Sequence, residues 1–530
     1  MGVQVVWFKR DLRVHDHAPL AQAVRAGPVL CLAVIEPSLW SQSDASTRQY
    51  GFYVECLRDL AQALQDLGLR LQVRHGEVVD VLAELHATHP LAALHSHQET
   101  GNGVSFARDR AVARWCRDHG VPWHQTPAFG VVRGLKDRAL WHPAWEAHMR
   151  QPQAPVPDAH ACRAAPSPWA DGYAPAPSRL GLAADPAPQR QTGGRSQGLA
   201  VFQDFLNQRC QRYRGGISSP LRAPTACSRL SAHLAWGTLS LREVVQATRQ
   251  QILCFQERLP QSAQGLEAFL SRLHWHCHFI QKLESEPELE WRNLHRGYDG
   301  LRESDFNPGH FAALTQGRTG WPLVDACVAM LRETGWINFR MRAMLVSVAS
   351  YPLWLHWREV GLWLARQFVD YEPGIHWSQM QMQAGTTGIN TTRIYNPVKQ
   401  ALDHDPQGHF VRRWCPALRR VPDAWLFEPW RMPPSVQRAC GVRVAAGAAA
   451  GLDDVWPLPP VDLASATRAA KQALYARRNQ PEVRAAKAAI VEKHAARAAV
   501  TARARRPRAA RAAAVPTQAS LFDTATPPAC

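Results

Sequence analysis

Long apolar runs are missing from this sequence. No stretch of about 18 consecutive apolar residues occurs in its 530 residues, so no membrane span and no membrane partner is predicted. The first residues, MGVQVVWFKRDLR, carry charges inside their first apolar run and no small-residue cleavage site. Because this argues against a secretory signal, we expect a cytoplasmic protein.

Closely spaced cysteines are missing as well. The 12 cysteines are scattered, and no two of them form a C-x-x-C pair. This spacing argues against zinc ribbons, cysteine-held iron–sulfur clusters and disulfide frameworks. His274 and His278 lie four residues apart in a helical pattern, but the glutamate of an H-E-x-x-H zinc motif does not accompany them. We therefore predict no metal site.

Acidic side chains are few relative to basic ones. The sequence has 61 Lys and Arg against 44 Asp and Glu, for a net charge of +17. Such an excess suits a polyanionic partner, with nucleic acid as the first candidate. Residues 441–530 supply about half of it, with 14 Lys and Arg against six Asp and Glu. Because this Ala/Arg-rich segment has too few large apolar residues for a core, we expect a flexible basic tail.

Strand and helix patterns alternate in residues 1–135. VQVVWF and VLCLAVI are continuous apolar runs typical of buried strands, and FYVECLRDLAQALQDLG is an amphipathic helix closed by Gly68. This alternation predicts an α/β domain with a doubly wound parallel sheet. The domain lacks a glycine-rich phosphate loop, so its ligand stays open.

The composition changes twice after this domain. Residues 136–196 are rich in Pro, Ala and Ser, which predicts an interdomain linker. Residues 197–440 show helical periodicity, many tryptophans and few strand signals. We therefore predict an all-α second domain.

One apolar stretch, GWINFRMRAMLVS, carries two arginines that cannot share one solvated helix face. Arg340 and Arg342 are two residues apart, which places them about 200° apart around a helix. Because a guanidinium is costly to bury alone, an anionic or polar partner is expected inside. Asp370 and Glu372 are candidates, since a buried Arg–Asp pair can lie beside an electron-accepting ring and balance its charge.

A second segment, ACSRLSAHLAWGTLS, has hydroxyls before a helical pattern. Ser228 and Ser231, together with backbone amides at a helix start, are suited to a phosphate or diphosphate. Taken alone, the same residues are more commonly a simple helix cap.

Five segments resemble, in order, the cryptochrome/photolyase family of blue-light flavoproteins. They are VWFKRDLRVHD, CSRLSAHLAWGTLS, TGWPLVDACVAMLRETGWINFRMR, RIYNP and DHDPQGHFVRRWCPALRRVPDAWLFEPW, and they span most of residues 1–431. The resemblance implies an all-α C-terminal domain that binds FAD, with FADH⁻ as the active state. It also implies room for an antenna chromophore, of unassigned identity, in the N-terminal domain.

The resemblance further implies a set of cofactor contacts. The diphosphate of FAD is expected at Tyr213, Cys227, Ser228, Arg229, Leu230 and Ser231. At the flavin ring, the resemblance implies a pair of Arg340 with Asp370, a second arginine at Arg342, Glu372 at the polar edge and His376 opposite N5. Arg272 and Trp275 lie where cofactor and lesion meet, and Trp357 matches an electron-relay tryptophan.

Damaged DNA is the implied partner. Trp275 matches the tryptophan that stacks on the flipped lesion, and Arg393 matches a DNA-contacting arginine. Arg272, Met380 and Met382 are also expected on the lesion side. A separate short motif, QASLF at Gln518 to Phe522, resembles the peptide by which bacterial repair proteins dock on the sliding clamp.

Several positions depart from the family pattern. Arg272 stands where glutamate is usual, Phe339 where asparagine is usual, and Met380 and Met382 where two tryptophans are usual. The outermost relay position falls on Ser304. Four other tryptophans form either an alternative relay or ordinary core: Trp336, Trp354, Trp363 and Trp377.

Three functions are therefore compared. The first is a deoxyribodipyrimidine photolyase, a carbon–carbon lyase that acts on cyclobutane dimers in preference to (6-4) products. The second is a cryptochrome-type photoreceptor without repair activity, which the departures at Arg272 and Met382 favour. The third, a light-independent flavoprotein or nucleic-acid binder, is the least favoured because no place for a hydride donor is evident.

Overall fold

The computed structural model describes residues 2–170, 172–389, 393–446 and 455–494. Its first part is a five-stranded parallel sheet with strand order β3-β2-β1-β4-β5, which confirms the predicted α/β domain. The strands are β1 (Val3–Phe8), β2 (Val29–Ile35), β3 (Leu71–His75), β4 (Leu91–His97) and β5 (Trp123–Thr126). The helices of this part are α1 (Ala18–Ala26), α2 (Pro37–Trp40), α3 (Thr47–Gln65), α4 (Val78–Thr88) and α5 (Gly103–Asp118).

Burial on both faces explains why the central strands are apolar at every position except Gln4. Every residue of β1 and β2 is buried, because helices cover both sides of the sheet. The strand order reverses between β1 and β4, so their carboxyl ends diverge there and leave a crevice. At this edge Asp11 Oδ2 lies 3.0 Å from His17 Nε2 and 2.7 Å from His97 Nδ1 in a buried hydrogen-bonded cluster.

The predicted linker over residues 136–196 contains an ordered helix, α6 (Trp141–Arg150), and is corrected accordingly. Trp141, Trp145 and Met149 are buried in one cluster with apolar residues of the helical domain, because their spacing of four places them on one face. Further along, Ala164 pairs with Val29 at the start of β2. The Pro-rich segment therefore lies on both domains.

The second domain is helical, as predicted. Its largest core cluster lies around the α14, α15, α16 and α17 helices. In chain order the helices are α7 (Arg195–Asn207), α8 (Tyr213–Gly216), α9 (Ala223–Ala226), α10 (Ser231–Ala235), α11 (Leu241–Phe255), α12 (Pro260–Ser285), α13 (Pro308–Gln316), α14 (Pro322–Thr334), α15 (Phe339–Ser350), α16 (Trp357–Gln367), α17 (Pro373–Ala384), α18 (Pro397–His404), α19 (His409–Trp414) and α20 (Pro434–Cys440).

The prediction of a flexible tail from residue 441 is wrong for the described residues 455–494. Strands β6 (Arg443–Ala445) and β7 (Val455–Pro457) pair in parallel, and helices α21 (Leu463–Arg478) and α22 (Pro481–His494) follow. Ala470, Leu474 and Val483 pack against Tyr298 and Tyr351. A few apolar residues suffice here because they complete an existing core instead of building their own. The Gln518–Phe522 motif lies outside the described residues.

None of the helices in the described ranges is long and apolar enough to cross a membrane.

Candidate functional site

A cavity of about 320 Å³ lies in the helical domain, between α12, α15 and α17. It brings together most of the residues that the sequence predicted at a cofactor or lesion site. These residues are Tyr213, Cys227, Ser228, Leu230, Ser231, Arg272, Trp275, Arg340, Arg342, Asp370, Glu372, His376 and Met380. Residues separated by more than 160 positions in sequence thus line one space.

Four predicted residues lie outside the cavity lining: Arg229, Trp357, Met382 and Arg393. The Arg229 guanidinium lies 3.7 Å from the centre of the Trp336 ring, and Trp336 itself lines the cavity. Burial lowers the pKa of Arg229 to about 10. Arg393 is half-buried near Arg340 and Tyr395 at the cavity rim. Arg229 therefore contacts a lining residue, Trp336, although it does not line the cavity itself.

The ion pair on the inner side of the cavity is formed by Arg342, not Arg340. Arg342 Nη2 donates to Asp370 Oδ2 at 2.8 Å, and Arg342 Nε donates to the Ile337 carbonyl at 2.8 Å. The predicted pair of Arg340 with Asp370 is therefore corrected. The two arginines point in different directions from α15, so only one of them faces Asp370, and the docking of the helix sets which one.

Glu372 extends this negative edge and connects it to the other domain. Its Oε2 lies 3.3 Å from Arg10 Nη2, just after β1, and burial raises the pKa of the Glu372 carboxyl. Arg10 also donates to the carbonyls of Ala235 and Tyr371 at 2.9 and 2.7 Å. We call Arg342, Asp370 and Glu372 the charged wall. Sequence reasoning missed Arg10, although it lies inside the VWFKRDLR motif.

Several polar atoms of the lining are buried and have no hydrogen-bond partner among the residues that the structure describes. They are Asp370 Oδ1, Glu372 Oε1, Asn338 Oδ1 and Gln379 Nε2. Each such atom costs about 1–3 kcal/mol unless a ligand satisfies it. The same lining has extensive apolar surface from residues such as Phe269 and Phe368. A ligand with a flat apolar body and polar edges, as FAD has, fits this combination.

The opposite side of the cavity is more aromatic. Trp275 and Phe279 of α12 have near-parallel rings with centres 5.7 Å apart, and both line the cavity. Their spacing of four residues places them on one helix face with Arg272. Met380 of α17 completes this side. We call Arg272, Trp275, Phe279 and Met380 the aromatic wall.

His376 connects the cavity to two buried tryptophans. The His376 and Trp377 rings are 4.9 Å apart, and Trp377 meets Trp357 edge-on at 5.9 Å. Gly361 permits this packing, because a Cβ there would lie 2.5 Å from the Trp377 ring. Burial lowers the pKa of His376 to about 3, so its imidazole is neutral at physiological pH.

Trp354 lies beside the surface position where the sequence has Ser304. The Trp354 indole N–H donates to Asp305 Oδ2 at 3.1 Å, and Ser304 Oγ donates to Asp305 Oδ1 at 3.1 Å. Trp354 is half-buried, whereas Trp357, three residues later, is fully buried. A tryptophan is thus present near this surface although the matched sequence position lacks one.

Two protein-family models match this chain, one in each domain. Residues 4–133 match the family model described as DNA photolyase, and residues 269–476 match the FAD binding domain of DNA photolyase. The second match includes most of α21, which the sequence analysis had assigned to the tail.

Curated relatives match over nearly their entire lengths. A deoxyribodipyrimidine photo-lyase of Streptomyces griseus is 30% identical over 499 residues, covering 88% of this chain and 98% of the relative. A cryptochrome DASH of Gloeobacter violaceus is 28% identical, covering 89% and 95%. The crystal structure of a class III photolyase from Agrobacterium tumefaciens superposes with a TM-score of 0.76 at 24% identity, covering 91% and 98%.

Proposed function

The chain belongs to the cryptochrome/photolyase family, and we propose that it repairs pyrimidine dimers in DNA by light-driven electron transfer from reduced FAD. We further propose cyclobutane dimers as its lesion. The observation that carries the proposal is the charged wall, in which Arg342 is paired with Asp370 beside unpartnered buried polar atoms. A relative named deoxyribodipyrimidine photo-lyase supports the same assignment.

The charged wall favours an electron-rich ring. When bound beside these residues, reduced FAD would supply the light-driven electron transfer that splits the dimer and restores the cofactor. Arg342 provides a fixed positive charge, and Asp370 holds its guanidinium in place through the 2.8 Å bond. Glu372, with its raised pKa, presents a carboxyl to the polar edge of the ring, and Arg10 orients it.

The aromatic wall is the proposed place for the flipped lesion. Trp275 offers a ring face to the two adjacent pyrimidines of the flipped lesion, and Met380 offers a polarisable thioether for packing. Arg272 is suited to the carbonyl oxygens of the pyrimidines or to a nearby phosphate. Arg393 at the rim is proposed to contact the DNA backbone, which fits the net charge of +17.

His376, Trp377 and Trp357 are proposed to carry electrons toward the cavity. The order of ring contacts runs from the cavity into the core, with steps of 4.9 and 5.9 Å between ring centres. Trp354 is the proposed outer member, because it lies near the surface beside Ser304. This route replaces the one that Met380 interrupts.

A second, smaller cavity of about 120 Å³ lies at the carboxyl edge of the sheet. Trp7, Trp40, Tyr53, Arg108 and Trp236 are among its lining residues. It meets the first cavity at Tyr371, which lines both. We propose it as the place where an antenna chromophore would sit.

Oligonucleotides bearing one defined lesion test the proposal. The reduced protein is incubated with duplexes that hold either a cyclobutane dimer or a (6-4) product, with and without blue light. We expect light-dependent loss of the cyclobutane dimer alone. Loss of the (6-4) product would retain the repair function and reject the proposed lesion. Loss of neither lesion, with flavin bound and photoreduced, would reject repair.

A cryptochrome-type photoreceptor is the second candidate. The aromatic wall favours it in one respect, since Arg272 and Met380 replace residues that the family uses for lesions and relay. Photoreduction of the bound flavin without any lesion loss, together with a light-dependent change in protease sensitivity, would favour this function over repair.

A further inference from the structure

A buried lysine without a counter-charge lies next to the aromatic wall. Lys282 of α12 is 8% exposed, and its ammonium lies 5.3 Å from the centre of the Phe279 ring. Across the ranges that the structure describes, this ammonium has no hydrogen-bond or ion-pair partner. Burial, with a smaller contribution from Arg138, lowers the pKa of Lys282 to about 7. A lysine side chain that is largely buried without a counter-charge is costly, so its presence calls for an explanation.

Three other nitrogen-bearing side chains lie near Lys282, and we call Arg138, His278, Lys282 and His494 the basic cluster. Arg138 Nη2 lies 2.6 Å from His278 Nδ1, while Arg138 Nη1 is buried and has no partner. His494, at the end of α22, is 2% exposed and close enough to affect both Lys282 and His278 electrostatically. Within the described part of the chain, the cluster therefore contains a guanidinium nitrogen and an ammonium that have no partner.

The nearby carboxylate is already engaged elsewhere. Glu286 Oε2 lies 2.5 Å from Lys493 Nζ and 3.8 Å from His494 Nε2. These contacts, chiefly the one to His494, lower the pKa of Glu286 to about 2. Apolar side chains would fill the position of Lys282 at lower cost if packing were its purpose. Among the described residues no carboxylate pairs with Lys282, so the cations are placed for an external anion.

We propose that the basic cluster binds a phosphate group, and that in the DNA complex this group is a backbone phosphate beside the cavity. A guanidinium with a free nitrogen and an ammonium are the donors that phosphate oxygens prefer. The cluster shares α12 with Trp275 and Phe279, so a strand that delivers a base to the cavity passes close to it. The phosphate site itself does not depend on the proposed function. Only the assignment of the phosphate to the DNA backbone rests on it.

Binding of undamaged duplex DNA in the dark tests whether the bound phosphate belongs to the DNA backbone. Affinities are measured by fluorescence anisotropy between about 50 and 200 mM salt. The variants are Lys282→Met and Arg138→Gln, and the control is Arg117→Gln, which removes an exposed charge from α5. We expect either variant to weaken binding and to reduce the slope of log K against log salt by about one, while the control keeps the wild-type slope.

Thermal unfolding with inorganic phosphate tests the free-anion source. At constant ionic strength, phosphate should raise the Tm of the holoprotein but not that of Lys282→Met. Without phosphate or DNA, Lys282→Met should itself raise Tm by about 1–3 °C, because it removes an uncompensated buried charge. A raised Tm would show that Lys282→Met folds normally. A loss of phosphate or DNA binding in this variant could then not be attributed to misfolding.

The outcomes distinguish DNA from free phosphate as the source of the bound group. They also distinguish this inference from the proposed repair function. A reduced salt slope assigns the site to DNA. An unchanged slope with phosphate stabilisation that Lys282→Met abolishes assigns it to a free phosphate. The inference is overturned if neither measurement distinguishes the variants from the wild type. Neither test requires light or a lesion, so absence of repair would leave the result standing.

Discussion

The two walls of the cavity differ in how closely they follow the family. The charged wall keeps an arginine–aspartate pair, with Arg342 held to Asp370 at 2.8 Å and Glu372 beside it. The aromatic wall keeps Trp275 but has Arg272 and Met380 at positions where the family usually has other residues. Both walls belong to one rigid set of helices.

Under the proposed function, this difference falls between cofactor binding and substrate binding. A wall that holds a flavin must satisfy its buried charges, because unpaired charges are costly whatever the substrate. A wall that packs against a lesion tolerates changes of residue type more readily.

The largest effect is expected from Asp370→Ala, which leaves Arg342 half-buried without its partner. Breaking such a pair costs about 3 kcal/mol, which corresponds to roughly 100-fold weaker flavin affinity. Flavin absorbance per protein after FAD titration provides the measurement.

A matched control exists at the surface. Arg412 Nη2 and Asp423 Oδ1 form the same type of pair at 2.6 Å, but the Asp423 side chain is 88% exposed. Asp423→Ala should change stability by less than about 1 kcal/mol and leave flavin affinity unaltered. Wild-type flavin affinity in Asp370→Ala would contradict the assigned role of the charged wall.

The next effect concerns Trp377→Phe, behind the charged wall. Phenylalanine packs similarly but is much harder to oxidise, so photoreduction of the bound flavin should slow by at least about tenfold, equivalent to 1.4 kcal/mol of barrier. Transient absorption after a blue-light pulse measures the rate. Trp363→Phe, in the core of the same domain, is the control. Equal rates in the two variants would reject the proposed route.

A smaller effect is expected in the pH dependence of stability. The pKa of His376 is lowered to about 3 by burial, so between pH 6.5 and 3 the unfolded chain binds one more proton there than the folded chain. The free energy of unfolding therefore falls with decreasing pH, by about 1.4 kcal/mol per unit from this residue.

His376→Gln should remove this contribution, so that the free energy of unfolding falls less steeply below pH 6.5. Urea unfolding at pH 4.5, 5.5 and 6.5 measures it, with His409→Gln as an exposed control. If the free energy of unfolding falls as steeply with decreasing pH in His376→Gln as in the wild type, the His376 imidazole is not held neutral.

The smallest effect is expected on the aromatic wall. Arg272→Gln should weaken binding of lesion-bearing duplex about fivefold, since it removes one cation near the DNA, and should leave flavin content unchanged. Anisotropy and flavin absorbance on the same sample provide both readouts, with Arg117→Gln as the control. Loss of flavin in Arg272→Gln would show that the two walls are not independent.

Much of the fold was predictable because periodicity reports burial. The predominantly apolar runs at Val3–Phe8 and Val29–Ile35 predict buried strands of a sheet covered on both faces, and the structure has these strands. The prediction of a flexible tail from residue 441 was wrong because it considered only whether the tail could build its own core. Ala470, Leu474 and Val483 are too few for that, but they pack against a core that already exists. A sequence pattern reports the face that a helix presents, not the surface that receives it.

By itself the sequence determined which chemistry the cavity would contain: guanidiniums in an apolar stretch, acids about 30 residues later, and hydroxyls before a short helix. These follow from the cost of burying charge, which holds in any fold. Only the tertiary structure decided that Arg342 and not Arg340 meets Asp370, that Arg10 reaches Glu372, and that Lys282 is left alone. Those choices depend on the docking of helices, and a change of one ångström or a few degrees alters which donor meets which acceptor.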